Sequence, residues 1–264
     1  MGVINVTPDS FSDGGRALDP AQARDIAQAM AASGADIIDV GAESTRPGAA
    51  PIGAAEEIAR VEPALKAIAA AVSIPISIDT YKAQVASVAL ACGAGIVNDI
   101  SAFEYDPQLG RLVAERGVPA ILMHTRGRPD DMYAHAEYRD VVGEVMADLT
   151  RAIARAEDHG VRRRQLIVDP GLGFAKKAPQ SLEVLANLDK FGALDLPILI
   201  GPSRKSFMAA ATGPLSPADR DWGTAAAVTA AILLGAHIVR VHNVEKMAHV
   251  VRVADTLRLA ASVR

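Results

Sequence analysis

One alternation, repeated eight times, limits what this chain can fold into. Short β-branched runs that end in a polar residue are each followed by an Ala-rich amphipathic stretch. Val3–Val6, Asp36–Val40, Ile76–Asp79, Ile96–Asp99, Ala120–His124, Leu166–Asp169, Pro197–Gly201 and Ile238–His242 have strand composition. Helical spacing follows over 20–33, 54–72, 83–91, 107–116, 138–159 and 179–189, near Lys205 and over 222–234, and over 245–261. Near-continuous apolar strands belong to a parallel sheet covered on both faces. Eight βα units in 264 residues match a closed barrel, which takes about 250 residues. The expected fold is therefore α/β, a single (β/α)8 TIM barrel over residues 1–264, with its active site at the C-terminal ends of the strands. An open doubly wound sheet is the rival. Gly171-Leu-Gly173-Phe, however, does not complete a dinucleotide fingerprint, and no Walker A sequence occurs.

Composition excludes several classes of function. Half the residues are hydrophobic, and the net charge is −4, which gives no support to nucleic-acid binding. Cys92 is the only cysteine; its apolar helical context marks it as a small core residue, and no intrachain disulfide is possible. The longest apolar stretch, 225–234, is too short to span a bilayer. The first residues carry no basic leader, and Val6 stands where a myristoylation motif needs Ser or Thr. A cytoplasmic location is expected.

The strand ends hold the chemistry. The first run carries Asn5 and breaks at Thr7-Pro8 into a Ser/Asp/Gly loop, because proline ends a strand and the residue before it avoids helix. Asp79, Asn98 and Asp169 are acceptors or amides at the ends of apolar strands. Carboxylates there suit a flat heterocycle rich in N–H donors, such as a 2-amino-4-oxo ring. Arg46, Lys205, Arg240 and His242 suit an anion such as phosphate or pyrophosphate. Arg240 and His242 are two apart on one strand and share a face. Asn5 is an oxygen donor of the kind Mg2+ accepts beside phosphate oxygens. Zinc-ligand spacing and a nucleophile elbow are both absent.

Seven motifs carry a resemblance that runs essentially end to end. They are Asn5-Val-Thr-Pro-Asp-Ser-Phe-Ser-Asp-Gly-Gly15, Gly41-Ala-Glu-Ser-Thr-Arg-Pro-Gly48, Ser77-Ile-Asp-Thr80, Val97-Asn-Asp-Ile100, Asp169-Pro-Gly-Leu-Gly-Phe174, Ser203-Arg-Lys-Ser206 and Arg240-Val-His242. In these the chain resembles the dihydropteroate synthases of the folate pathway. The resemblance implies a transferase that joins 6-hydroxymethyl-7,8-dihydropterin pyrophosphate to p-aminobenzoate through a pterin cation. It implies that Asp79, Asn98, Met123, Asp169 and Lys205 hold the pterin. Asn5, Arg240 and His242 would hold the pyrophosphate, Asn5 through Mg2+. Thr45, Arg46, Pro47, Phe174, Lys205 and Ser206 would form the p-aminobenzoate pocket. Sulfonamides share that pocket in the family, so discrimination rests on loop shape near Thr45, Pro47, Phe174 and Ser206. Asp9, Asp79, Asp169, Lys205, Arg240 and His242 would carry catalysis, Asp9 once its loop closes. A homodimer through the outer helices near the C-terminus is also implied.

Three departures set further expectations. Most relatives carry a segment before the first strand, whereas here the strand starts almost at residue 1. Asn243 follows His242 where the family usually has Asp, and is expected to weaken the orientation of His242. Thr125 and Arg126 replace frequent Met and Gln in a loop expected to cover the pterin end. Two other readings compete. A pterin barrel for methyl transfer to a corrinoid would share the carboxylates but handle no pyrophosphate. A non-catalytic pterin-binding protein would keep the pocket without turnover.

Overall fold

The structure is a computed structural model that describes residues 1–7, 19–45 and 48–262. Its strands pair parallel, each with its neighbour in sequence. β1 (Gly2–Asn5), β2 (Ile38–Gly41), β3 (Ile76–Asp79), β4 (Ile96–Asp99), β5 (Ala120–Met123) and β6 (Leu166–Asp169) form one sheet in that order. β7 (Leu199–Ile200) and β8 (Ile238–Val239) pair with each other. Two parallel bridges complete the ring, Val168 with Ile198 and Gly2 with Val241. Val168 N–H donates to Pro197 O at 2.9 Å, Val3 N–H to Val241 O at 3.2 Å and Val241 N–H to Met1 O at 2.9 Å. Eight strands thus close on themselves, which removes the sheet's exposed edges.

The helices stand outside: α1 (Pro20–Ala32), α2 (Ala54–Ala69), α3 (Ala83–Ala91), α4 (Pro107–Arg116), α5 (Val141–Asp158), α6 (Ala178–Ala186), a single turn α7 (Ala209–Thr212), α8 (Asp221–Leu233) and α9 (Val244–Ser262). Local chemistry sets their starts. Asp19 and Asp106 cap α1 and α4, accepting from the N–H two residues on, each with proline at the first helical position. The helix expected from Tyr138 begins only at Val141, because Asp140 accepts from Gly143 N–H at 3.0 Å and caps it there. Gly117 ends α4 in the left-handed conformation (φ 66°), which glycine adopts without a Cβ penalty. Cys92 ends α3, half-buried and packed against the core.

Two apolar shells result. The larger lies between strands and helices, where Ile38, Ile78 and Leu122 meet Leu65, Val85 and Leu149. The smaller fills the barrel: Met1, Ile96, Ile121 and Leu199, with Ile37, Ile167 and Ile238 packed against them. Side chains alternate faces along a strand, so the residue two places on from each of these also points inward. Those residues are Val3, Asp39, Asn98, Met123, Asp169, Gly201 and Arg240. The plug thus closes the barrel below and sets a polar layer directly above it.

Candidate active site

Register fixes the first row of this layer. Asn5 pairs with Gly41, Gly41 with Asp79 and Asp79 with Asn98. A Cβ on Gly41 would lie 3.3 Å from the Asp79 Cβ and 3.6 Å from its Oδ2, so the missing side chain gives the carboxylate its room. Arg240 then bridges carboxylates from two other strands. Its Nε donates to Asp39 Oδ2 at 2.7 Å and its Nη2 to Asp79 Oδ2 at 2.8 Å. The same Asp39 oxygen accepts from Asn98 Nδ2 at 3.1 Å. One guanidinium therefore ties β8 to β2 and β3, and Asn98 ties in β4.

The second half of the layer comes from β6 and the loop after β7. Asp169 is buried, and its Oδ1 accepts from Gly171 N–H at 2.7 Å. The Lys205 ammonium donates to Leu172 O and sits 4.3 Å from the centre of the Phe174 ring. Met123 packs with Tyr81 and Ile100, against Tyr105 and Phe174, as an apolar shelf beside the carboxylates. His242 Nδ1 lies 3.0 Å from Ser203 Oγ, which also accepts from the His242 N–H at 3.2 Å.

Burial perturbs these groups strongly. Desolvation raises the Asp79 carboxyl to about 7; Arg240 opposes the rise, and Asp39 adds to it. Asp169 is also raised by burial, with Lys205 opposing. Burial pulls Lys205 down to about 8, although Asp169 favours its charge. Burial disfavours the Arg240 charge too, but Asp39 and Asp79 outweigh it and hold the guanidinium more firmly protonated than usual. Perturbed acids and bases gathered at one barrel mouth mark a functional site.

The structure thus brings together Asp79, Asn98, Met123, Asp169, Lys205 and Arg240, with Phe174 against Lys205. His242 is held on the Ser203 side, and Asn5 stands in the row of Asp79. Ser206 follows Lys205 directly and is exposed, while Thr45 is half-buried beyond β2. Asp9, Arg46 and Pro47 lie outside the described residues. Behind Thr45, Glu43 accepts from Tyr81 Oη at 2.8 Å and pairs with Lys82, which also reaches Glu57 at 2.6 Å. Sequence reasoning missed Asp39. Its signal was present, an acid between Ile38 and Val40 inside an apolar run, where a turn or cap has no use for one.

Asn243 and Arg126 each find partners of their own. The Asn243 amide donates to Asp221 Oδ2 at 2.9 Å and its Oδ1 accepts from Lys246 N–H at 3.2 Å, while Ser203 orients the His242 imidazole. Asp221 also accepts from Arg204 Nε at 3.0 Å, so it links the loops on either side of Lys205 and His242. Arg126 turns toward α5. It donates to Asp148 and Glu144 on α5, each at 3.0 Å, and stacks on Tyr138. Asp99, polar at a strand end, is structural: it accepts from Ser101 N–H and Phe103 N–H, both at 2.7 Å, and shapes the turn there. A cavity of about 920 Å3 opens beside Tyr105, Met123, Arg126 and Arg128. It touches the layer only at Met123 and includes none of its charged residues.

Known proteins give a consistent picture. The description "Pterin binding enzyme" matches residues 1–242. The dihydropteroate synthase of Synechocystis sp. is 45% identical over 257 residues, covering 97% of this chain and 89% of that protein. Among solved structures, Xanthomonas albilineans dihydropteroate synthase with 4-aminobenzoic acid superposes with a TM-score of 0.91 at 39% identity, covering 97% of this chain and 92% of that one. The same enzyme in complex with 7,8-dihydropteroate gives 0.87 at 36% identity, with coverage of 97% and 92%.

The Asp39–Arg240 contact can be weighed directly. Asp39→Ala leaves a guanidinium short of one carboxylate in a buried layer and should cost about 3 kcal/mol of unfolding free energy. Urea denaturation of Asp39→Ala, Arg240→Ala and the double variant should show coupling of roughly 1–3 kcal/mol. Additive effects would mean that the two residues do not act as a pair.

Proposed function

Since the chain belongs to the pterin-binding enzymes, we propose that this site condenses 6-hydroxymethyl-7,8-dihydropterin pyrophosphate with p-aminobenzoate, releasing pyrophosphate and forming 7,8-dihydropteroate. The observation that carries the reading is the arrangement of Asp79, Asn98 and Asp169 above one apolar plug, with Arg240 and Lys205 among them. The pterin ring offers N–H donors along one edge, and a carboxylate accepts two of these at once. Asp79 and Asp169 take those donors, Asn98 takes a ring edge, and Met123 packs beside the ring. Arg240 commits its Nε and Nη2 to carboxylates, which leaves Nη1 for a phosphate oxygen, and His242 holds a second. These positive charges favour departure of pyrophosphate. The carboxylates then stabilise the cation left on the exocyclic methylene, and Asp9 joins them on this reading. Phe174, Lys205, Ser206, Thr45, Arg46 and Pro47 receive p-aminobenzoate, whose amine attacks that carbon. Water must be kept out while the cation exists.

Among the described residues no cluster of three or more acidic, His or Cys side chains can hold a metal. Asn5 supplies one amide oxygen at the end of β1. So sparse a donor set fits Mg2+, which keeps waters and takes its other ligands from phosphate. When bound, Mg2+ neutralises the leaving pyrophosphate. Methyl transfer to a corrinoid is disfavoured because it gives Arg240, His242 and the Ser203–Ser206 loop no anion to hold.

We also read residues 1–264 as one domain, cytoplasmic and homodimeric. Among the described residues no helix is long and apolar enough to cross a membrane. Trp222 on α8 is 87% exposed, and Val253, Leu257 and Leu259 on α9 are exposed as well, on two helices packed together. A second copy over these helices would cover apolar surface that a monomer leaves in water. Sedimentation should give a dimer that Trp222→Glu weakens; a monomer at micromolar concentration would reject this reading.

The activity test is pyrophosphate release, which should need dihydropterin pyrophosphate, Mg2+ and p-aminobenzoate together. Asp79→Asn and Lys205→Ala should lose pterin binding in calorimetry, while Asp9→Ala should lower turnover with pterin affinity nearly intact. Unchanged pterin affinity in either of the first two would overturn the assignment. Turnover should also depend on pH from both sides. Asp79 must be ionised to accept ring donors, so kcat/KM falls as pH drops through about 7. Lys205 loses its charge as pH rises through about 8, which sets an alkaline limb. A flat profile between pH 6 and 9 would contradict these roles.

A further inference from the structure

A buried lysine that the proposed reaction does not use stands directly behind the site. Lys176 is 1% exposed. Its Nζ lies 2.7 Å from His124 Nδ1, 3.0 Å from Phe174 O and 3.1 Å from Gly171 O. These acceptors, with His124 O farther off at 3.5 Å, take every hydrogen that Nζ can donate. His124 is itself buried. Burial and the Lys176 charge hold it down to about 4, with Asp148 opposing, so the ring is neutral at physiological pH. Its Nδ1 then accepts from Lys176, and its Nε2–H donates to Asp148 at 2.9 Å. Among the described residues no carboxylate pairs with Lys176. Burial pushes its pKa well down, so the position is costly for a lysine.

What Lys176 grips is the segment Gly171–Phe174, at both ends. The outward face of that segment builds half of the site. Gly171 N–H holds Asp169, Leu172 O takes the Lys205 ammonium, and the Phe174 ring lies against the same ammonium. The segment can turn its carbonyls alternately to Lys176 and Lys205 because Gly171 and Gly173 both adopt left-handed backbone (φ 69° and 76°). A Cβ on Gly171 would come within 2.1 Å of His124 O. Ser181 Oγ accepts from Gly173 N–H at 3.1 Å and fixes the middle of the segment.

We propose that Lys176 is a positioning residue: by holding the Gly171 and Phe174 carbonyls from behind, it sets Lys205 and the Phe174 ring where p-aminobenzoate is received. The inference rests on the functional reading above. Asp169 depends on it less, because β6 carries its backbone, with His124 N–H donating to Asp169 O at 2.8 Å.

The test compares Lys176→Met, of similar length and without charge, with wild type in steady-state turnover, pterin calorimetry and thermal melting. KM for p-aminobenzoate should rise about tenfold, the effect of losing one charge-assisted hydrogen bond. Pterin affinity should stay within about threefold. Loss of fold alone would lower the melting temperature and the active fraction without moving KM. Ser181→Ala loosens the same segment without touching a buried charge, and should raise the same KM about threefold. A folded Lys176→Met with unchanged KM overturns the proposal. If that variant does not fold, an unchanged KM in Ser181→Ala overturns it. Wild type without turnover would defeat the functional reading as well, so the two failures are distinct.

Discussion

The polar layer of this protein stands on a floor of aliphatic side chains, and that floor decides the rest. Met1, Ile96, Ile121 and Leu199, with Ile37, Ile167 and Ile238 around them, fill the closed barrel and keep water from entering below. Strand alternation then places the next inward residue of each strand one step higher. The site is polar on one side and dry beneath, a setting in which charges act on each other with little screening. The raised carboxyl of Asp79 and the lowered ammonium of Lys205 both follow from that placement.

A dry floor makes charge costly, and the structure meets the cost by pairing. Arg240 is held by Asp39 and Asp79, and Lys205 by a carbonyl with Asp169 nearby. Such pairs are weak sources of stability, because desolvation consumes most of their attraction. Their effect is on geometry. Asp39 gives its Oδ2 to Arg240 and Asn98; it orients the guanidinium that the proposed reaction needs. Ser203 does the same for His242, and Lys176 is argued to do so for the wall that bears Phe174. A ring of orienting groups lies behind the reacting ones, and it draws on β2, the loop after β7 and the loop after β6.

Three polar residues near the site, Asn243, Arg126 and Asp99, each turn to something else. Asn243 joins Asp221 and caps α9, Arg126 meets α5, and Asp99 shapes its own turn. Asp99 follows Asn98 on β4, and neighbours along a strand face opposite ways, whereas Arg126 and Asn243 lie in the loops beyond β5 and β8. His124, next to Met123, likewise turns outward to Lys176 and Asp148.

Periodicity is local, and so the sequence by itself determined the eight strands, the helix starts near Pro20 and Pro107, and the parallel order that makes a barrel. Those are set by side-chain alternation and by capping within a few residues. The end-to-end motifs likewise pointed to Asp79, Asn98, Asp169, Lys205 and Arg240 as one group. Only the tertiary structure decided who touches whom. Asp39 meets Arg240 across 201 positions, and Lys176 reaches His124 across 52. No pattern in a single chain announces such contacts, because they arise when ring closure brings β8 beside β1 and stacks the strand-end loops together. A buried charge takes its partner from whatever the closed barrel sets within reach, and that neighbour is fixed by topology.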